Sequence, residues 1–488
     1  MDNAFDYFFK ESQKSNNAFI VNPKDEITFI NLYQKCVSLA CVLQKKYGTG
    51  KRILLISHNN LFFVTSYLAI LKSGNIVVPV NPDIDQKNLD FIISHCESGV
   101  AFISKFIKKS SLELFDSHNE DSFNTLLSES DNDENRIVPV NQDHTAEIIF
   151  TSGSTGLPKG VELSHKNLIA NTSSIIKYLH LTAQDRMLVV LPFYYCYGLS
   201  LLHTHLRVGG SLVLNNSFIF IGGIFRDLNL YNCTGFAGVP SHFQILIRKS
   251  KSFIKMVFPA LRYVTQAGGK LPSIFIQEFV NAFPQITFFV MYGQTEATAR
   301  LSFLPPDILH KKIGSIGRGI PEVILRVVNE AGDDIKPDEV GEIIAKGDNI
   351  MKGYFKDELL TSETIKEGYL YTGDLATIDE EGFIFISSRK KDFIKVGGKR
   401  ISPKEIEEVI LLMPEIVDCT VVGVNDDLLG EAMKAIVILA DDKRNDVTVK
   451  DIMMHCQRNL PLYKVPTHIE FENALKVNAT GKKTKADS

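Results

Sequence analysis

The ten residues Thr151-Ser152-Gly153-Ser154-Thr155-Gly156-Leu157-Pro158-Lys159-Gly160 hold four hydroxyl side chains, three glycines and one lysine. Glycine permits positive φ and close approach, so consecutive N–H groups can converge on an anion. With hydroxyl donors and an ammonium added, the guest such a loop suits is a phosphate. On composition alone the competing reading is a flexible hairpin loop. The residues before it, Ala146-Glu147-Ile148-Ile149-Phe150, predict a buried strand, and Val161-Glu162-Leu163 predict a returning one. A Walker A loop runs G-x-x-x-x-G-K-[ST] straight into a helix, so a P-loop kinase or GTPase is disfavoured. Ser164 then stands as the cap of a helix through Leu168, Ile169 and Ile176.

A second set of candidates follows the predicted strand Thr287-Phe288-Phe289-Val290-Met291, which ends in Tyr292-Gly293-Gln294-Thr295-Glu296-Ala297. Strand ends in α/β sheets are where ligands sit. A carboxylate such as Glu296 beside a triphosphate would be repelled unless a hard cation lay between them. By itself Glu296 reads more readily as a solvated loop acid.

In this order, Thr151 to Gly160 resembles the phosphate loop of the adenylate-forming superfamily, which includes acyl-CoA synthetases, aryl-CoA ligases, beetle luciferases and peptide-synthetase adenylation domains. Tyr292 to Ala297 resembles that family's second core motif. The resemblance implies that Tyr292 packs on the adenine, Thr295 contacts phosphate and Glu296 holds Mg²⁺, with Gly293 and Gln294 in the same nucleotide-binding turn. Gln266-Ala267-Gly268-Gly269-Lys270 resembles the loop along the adenine edge. Leu370-Tyr371-Thr372-Gly373-Asp374 resembles the motif whose aspartate accepts both ribose hydroxyls, work that needs two acceptor oxygens. Arg389 resembles the arginine that contacts the ribose or the phosphates. Asn478-Ala479-Thr480-Gly481-Lys482 resembles the C-terminal motif whose lysine bridges the substrate carboxylate and the α-phosphate; without that motif it would read as a charged, frayed tail.

The implied activity is ATP- and Mg²⁺-dependent conversion of a carboxylic acid, fatty or aryl, to an acyl-adenylate. Transfer to a thiol follows, that of CoA or of a phosphopantetheine arm on an acyl carrier protein. The alternative is an enzyme that loads an acyl or aminoacyl group onto such a carrier. In this family the small C-terminal domain rotates between the two steps. Lys391, within Arg389-Lys390-Lys391-Asp392, is then the candidate hinge, and Gly397 and Gly398 of Val396-Gly397-Gly398-Lys399 would line the pantetheine path. A non-catalytic relative is disfavoured by the intact set Thr295, Glu296, Asp374, Arg389 and Lys482, and nothing positive supports a luciferase-like oxygenase.

The acid is less legible. Leu191-Pro192-Phe193-Tyr194-Tyr195-Cys196-Tyr197-Gly198 resembles the segment that walls the acyl pocket, but Tyr194 and Tyr195 stand where many relatives carry histidine. No Asp or Glu lies between Arg186 and Arg226. A buried ammonium would lack a partner there, several kcal/mol unfavourable by usual estimates, so an uncharged acyl or aryl tail is expected. Phe218-Ile219-Phe220-Ile221 read as ordinary core, with the pocket wall as the alternative.

The elements that must position these residues alternate in type. Arg52–Ile56, Ile76–Val80 and Met187–Leu191 are short apolar runs, and Phe63–Leu71 has helical spacing. Glu113–Arg136 is polar and acidic, and is expected to be an exposed loop. Ile378–Phe383 suggests a hairpin turn into a strand through Ile386, followed by a polar link, Ser388–Asp392. Next, Ser402-Pro403-Lys404-Glu405 reads as a helix start with Ser at N-cap, Pro at N1 and Glu at N3, running through Met413 until Pro414 stops it. Strands Cys419–Val424 and Ala435–Leu439 and a helix near Val449–Leu460 complete a compact α+β unit. The expected fold is α/β: a large N-terminal AMP-binding domain of adenylate-forming type, βαβ subdomains plus a distorted barrel, over residues 1–388. A small mobile α+β lid follows over 389–488.

Bulk properties agree. At 488 residues the chain is too long for one core, while 44% apolar and 23% charged residues are those of a soluble globular protein. A formal net charge of −4 gives no electrostatic case for nucleic acid. Seven scattered cysteines with no C-x-x-C pair make neither a disulfide framework nor a zinc site, and fit a reducing compartment. The N-terminus lacks the basic and apolar regions of a signal peptide. No apolar run reaches the roughly 18 residues of a membrane helix, so no integral membrane segment is expected and the expected location is the cytoplasm.

Overall fold

The computed structural model describes residues 3–113, 115–129, 137–152, 157–218, 220–250, 252–389, 393–396, 398–426, 430–440 and 447–473. Unbroken buried runs such as Ile53–Ile56 mark central strands of a parallel sheet covered on both faces. They build a seven-stranded sheet in the order Gly353–Tyr354, Pro158–Ser164, Thr145–Ser152, Ile76–Val80, Arg52–Ile56, Val100–Ile103, Asp116–His118.

A nine-stranded sheet runs Arg318–Gly319, Ser302–Leu304, Thr287–Tyr292, Tyr263–Gln266, Gly235–Gly238, Arg186–Val189, Ser211–Leu214, Ala18–Ile20, Ile27–Thr28. From Thr287–Tyr292 to Ala18–Ile20 every neighbouring pair is parallel. The turns after Val189, Leu214, Gly238, Gln266 and Tyr292 therefore leave by one edge. That edge gathers distant stretches of sequence into one place.

The two sheets are tied through helices Leu61–Lys72 and Cys196–Val208. Tyr67 donates to the buried Glu147 Oε2 at 2.8 Å and meets His203 Nε2 at 2.8 Å. Burial raises the Glu147 carboxyl to about 7 and lowers His203 to about 3. Glu147 lies on the strand that leads into the phosphate loop, and His203 on the helix that starts at Cys196.

A third, antiparallel sheet is ordered Ile324–Val328, Gly341–Lys346, Tyr369–Ile378, Ile365–Lys366, with Ile384–Arg389 also paired to Tyr369–Ile378. The last sheet, Lys399–Ile401, Ile394–Val396, Gly430–Leu439, Ile416–Asp426, carries His468–Glu472 beside Gly430–Leu439. With helices Pro403–Ile410 and Val449–Asn459 it forms the expected small α+β unit. Polar contacts dock that unit on the large one. Arg248 donates from Nη1 to Met413 O at 3.0 Å and also to Ile416 O, Gln244 Nε2 donates to Asp418 Oδ1 at 2.8 Å, and Lys270 pairs with Glu408 at 2.9 Å. The seven cysteines are free, and among the described residues no helix is long and apolar enough to cross a membrane.

Several expectations need correcting. The stretch expected as an exposed loop after Glu113 contains strand Asp116–His118 and helix Glu120–Ser128, capped by Asn119 and anchored by buried Phe123 and Leu126. Ser402 makes no capping bond; its hydroxyl donates to Ser387 O at 2.9 Å. Glu405 pairs with Lys464 instead of closing a box. That helix ends at Ile410 because Leu412 and Met413 turn back to Val409 O and Ile410 O, tightening the chain before Pro414. Phe220, expected in the core, is 75% exposed just ahead of helix Ile221–Leu230. Arg389 closes strand Ile384–Arg389, opposite Asp374, rather than lying in a link.

Candidate active site

The chain reverses sharply after Tyr292. A Cβ on Gly293 would lie 2.0 Å from Ala299 O, so only glycine fits. Thr298 is held at φ +65, a strained value for a β-branched residue. Its hydroxyl donates to Asn349 O at 2.7 Å, which helps hold that strain. The turn presents Thr295, buried, and Glu296, half-buried, at the common sheet edge.

Glu296 is fixed at backbone and side chain. Its carbonyl accepts from Met351 N at 2.9 Å, and Oε1 accepts from the Tyr354 hydroxyl at 2.9 Å. Burial first, then the Glu296 charge, pushes the Tyr354 hydroxyl well up, so it remains a donor. Tyr354 pairs with Val161 on the strand returning from the phosphate loop, and Lys159 Nζ lies 5.7 Å from its ring centre. One tyrosine thus ties that strand to Glu296. The hairpin is zipped to its end, Thr151 opposite Lys159 and Ser152 opposite Pro158. Gly153, Ser154, Thr155 and Gly156 lie outside the described residues.

At the other side of Tyr292 sits Asp374. Oδ2 accepts from the Tyr292 hydroxyl at 2.6 Å and Oδ1 from Arg389 Nε at 3.1 Å. Asp374 is buried and Arg389 exposed. Behind them Gly268 takes φ +87, and Gln266 Nε2 donates to Gly269 O at 2.7 Å, shaping the loop at the end of its strand. Gln294 Nε2 is buried and has no hydrogen-bond partner among the described residues. Gly398 has φ +80 and open space around its Cβ position. Gly397, Lys391 and Lys482 lie outside the described residues.

The junction before helix Cys196–Val208 packs against the same turn. Cys196 Sγ is 3.6 Å from Thr295 Oγ1. Burial raises the Tyr195 hydroxyl, Cys196 and Glu296 add to that and Arg389 opposes it, so Tyr195 feels both ends of the site. The Tyr197 hydroxyl donates to Thr265 O at 3.0 Å, and its ring carries the Arg300 guanidinium 3.9 Å above it. Further along the edge Phe218 stacks on His242 with centroids 3.9 Å apart.

Among the described residues no three His, Cys, Asp or Glu gather to hold a metal by themselves. Mg²⁺ is usually held by one or two carboxylates plus substrate phosphates. Glu296 fits that use: one oxygen is fixed by Tyr354, and the other makes no hydrogen bond to the described residues. Sequence reasoning missed Tyr354 and Arg300. Tyr354 carries no local signal, since its partner is 58 positions away. Arg300 likewise was not singled out, because the rings that enclose it come from distant parts of the chain.

The sequence profile of the AMP-binding enzyme family matches residues 8–355, and that of the AMP-binding enzyme C-terminal domain matches 405–482. A long-chain-fatty-acid–CoA ligase of Salmonella typhimurium is 30% identical, over 95% of this chain and 89% of its own. A 2-succinylbenzoate–CoA ligase of Bacillus cereus is 29% identical over 94% and 92%. The o-succinylbenzoate coenzyme A synthetase of Bacillus subtilis, solved with ATP and magnesium ion, superposes with a TM-score of 0.86 at 25% identity, over 99% of this chain and 98% of that one.

Proposed function

The chain belongs to the AMP-binding enzyme family, and within it we propose an AMP-forming acid–CoA ligase with the residue roles set out below. It activates a carboxylic acid with ATP and passes the acyl group to CoA, releasing AMP and pyrophosphate. The observation that carries this reading is the convergence of Thr295, Glu296, Tyr292 and Asp374 at one sheet edge, with the phosphate hairpin zipped against Tyr354.

Two anions must meet in the first step, the acid's carboxylate and the α-phosphate. Positive charge beside them lowers that barrier. Lys482 would bridge the two, and Lys159 with Thr151 to Gly156 would hold the outer phosphates as pyrophosphate leaves. Mg²⁺ held by Glu296 would screen the phosphate charge. Tyr292, Gly268, Gly269, Gly293 and Gln294 would seat the base. Asp374 would take the ribose hydroxyls in place of the Tyr292 hydroxyl, with Arg389 beside it. In the second step the thiol attacks the adenylate's carbonyl carbon and AMP leaves. Gly397 and Gly398 would line the thiol's path, with the small unit, 389–488, turning about Lys391. The cytoplasm, where CoA and ATP are at hand, is the location we propose.

The test is pyrophosphate release from Mg·ATP across fatty, aryl and amino acids, with and without CoA. A CoA-dependent rise supports the ligase. Adenylate trapped by hydroxylamine, with no response to CoA, would instead point to the phosphopantetheine arm of a carrier protein as acceptor.

A further inference from the structure

Three buried asparagines, Asn167, Asn171 and Asn349, sew the turn that carries Glu296 to the helix that follows the phosphate hairpin. Asn167 stands in the first turn of helix His165–Leu179, directly after the returning strand Pro158–Ser164. Its Oδ1 accepts from Ser164 N at 2.7 Å. Its Nδ2 donates to Asp348 O at 2.8 Å and to Ile350 O at 2.7 Å, so Asn349 is pinned by the carbonyls on either side of it. The Asn349 carboxamide reaches into the turn after Tyr292, where Nδ2 donates to Arg300 O at 2.9 Å and to Ala297 O at 3.4 Å. Asn171 Nδ2, one helical turn beyond Asn167, adds a second donor to Arg300 O at 3.1 Å. A chain of carboxamides bonded to backbone groups thus leads from the end of the hairpin to the residues flanking Glu296.

The turn needs holding. It is strained at Thr298, φ +65, and the Thr298 hydroxyl donates to Asn349 O at 2.7 Å. Met351 N, two residues on from Asn349, donates to Glu296 O at 2.9 Å. Asn349 Oδ1 has no partner among the described residues, and a Cβ on Gly347 would lie 2.7 Å from it. Burying an unpartnered oxygen is unfavourable, and an apolar side chain would avoid it. The amide donor is therefore the part of Asn349 that the turn uses.

We propose that Asn349 is a positioning residue for Glu296: it holds the strained turn so that the carboxylate meets the Mg²⁺ of Mg·ATP at a place fixed relative to the phosphate hairpin, through Asn167. This rests on the ligase reading for the assignment of Mg²⁺ to Glu296.

The test is calorimetric titration of Mg·ATP and of AMP into the wild type, Asn349→Leu, Glu296→Gln and the double variant. Leucine removes the donor and the unpartnered oxygen together, and Arg300 O keeps Asn171, so the fold should persist. Asn349→Ser, smaller and still polar, carries the same predictions if the leucine variant does not fold. Asn349→Leu is expected to weaken Mg·ATP binding about 10-fold, the scale of one hydrogen bond, and to leave AMP binding unchanged. In the Glu296→Gln background it should weaken Mg·ATP no further, because both changes act through one carboxylate. An unchanged Mg·ATP affinity, an equal weakening of AMP, or effects that multiply in the double variant would overturn the positioning role. These titrations need no acid. Mg·ATP binding with no pyrophosphate exchange on any acid would overturn the ligase reading and leave the Asn349 result standing, whereas a wild type that does not bind Mg·ATP would overturn both.

Discussion

The Tyr354 hydroxyl reaches Glu296 Oε1 across 2.9 Å while its backbone pairs with the strand returning from the phosphate hairpin. Removing the hydroxyl leaves Glu296 free to rotate without disturbing the strand. Tyr354→Phe is expected to weaken Mg·ATP binding about 10-fold, the scale of one hydrogen bond to a charged group. AMP, which has no outer phosphates, should bind as before. Calorimetric titration of both nucleotides checks this, and equal weakening of the two would remove Tyr354 from any metal-positioning role.

Gly398 combines a positive φ of +80 with empty space at its Cβ position. A Cβ there meets nothing within 4 Å, though any L side chain is strained at this φ, and a tryptophan would reach into the proposed thiol path. Gly398→Trp should therefore keep adenylation within a few-fold and abolish thioester formation, whereas Lys482→Ala should do the reverse with supplied acyl-adenylate. Single-turnover assays of each half-reaction decide. Parallel losses in either variant count against the division of labour.

Arg248 is nearly buried, pairs with Glu278 at 2.8 Å and donates to carbonyls of Met413 and Ile416 in the small unit. If that unit turns between the half-reactions, these bonds exist in one arrangement only. Arg248→Met should lower stability by about 2 kcal/mol and move the two single-turnover rates by unequal factors. Equal factors would mean that the contact is indifferent to the turn.

The buried Glu147 offers a pH signature. Its carboxyl is raised from 4.5 to about 7, so the folded state holds a proton there that the unfolded chain has released. Stability from this group therefore falls as pH rises from about 4.5 to about 7 and stays low above that. Glu147→Gln keeps an acceptor for Tyr67 and removes the titration. The variant should gain on the wild type by up to about 3 kcal/mol between pH 5 and 8, read from melting temperatures. His203, lowered to about 3, slopes the opposite way in both proteins and cancels in the difference. A constant difference across pH would show that Glu147 stays charged.

What could be read along the chain were features written locally. The strand before Thr151, the returning strand through Leu163 and the Ser164 cap are each set by neighbours a few residues away, and the structure has all three. The order of motifs gave the family, which the profile match bears out. What could not be read depends on distant partners. Tyr354 owes its part to a strand pairing with residues nearly two hundred positions earlier in the chain. Arg300 carries no local sign of its burial, because Tyr197 and Tyr178 enclose it from distant parts of the chain. Ser402 has the right neighbours for a cap, yet Ser387 claims its hydroxyl. Helix Glu120–Ser128 hides in acidic sequence because two apolar residues suffice to anchor it.

Asp374, with both oxygens engaged by Tyr292 and Arg389, bears on the end of the catalytic cycle. In its proposed role it does not wait as a bare buried charge for a ribose. Hydroxyls arriving from the nucleotide displace donors that are already there, and those donors fall back when the nucleotide departs. Binding by exchange gives selectivity for the diol's geometry with little net affinity. AMP can then leave without stranding an anion, and the pocket that held it resets itself for the next ATP.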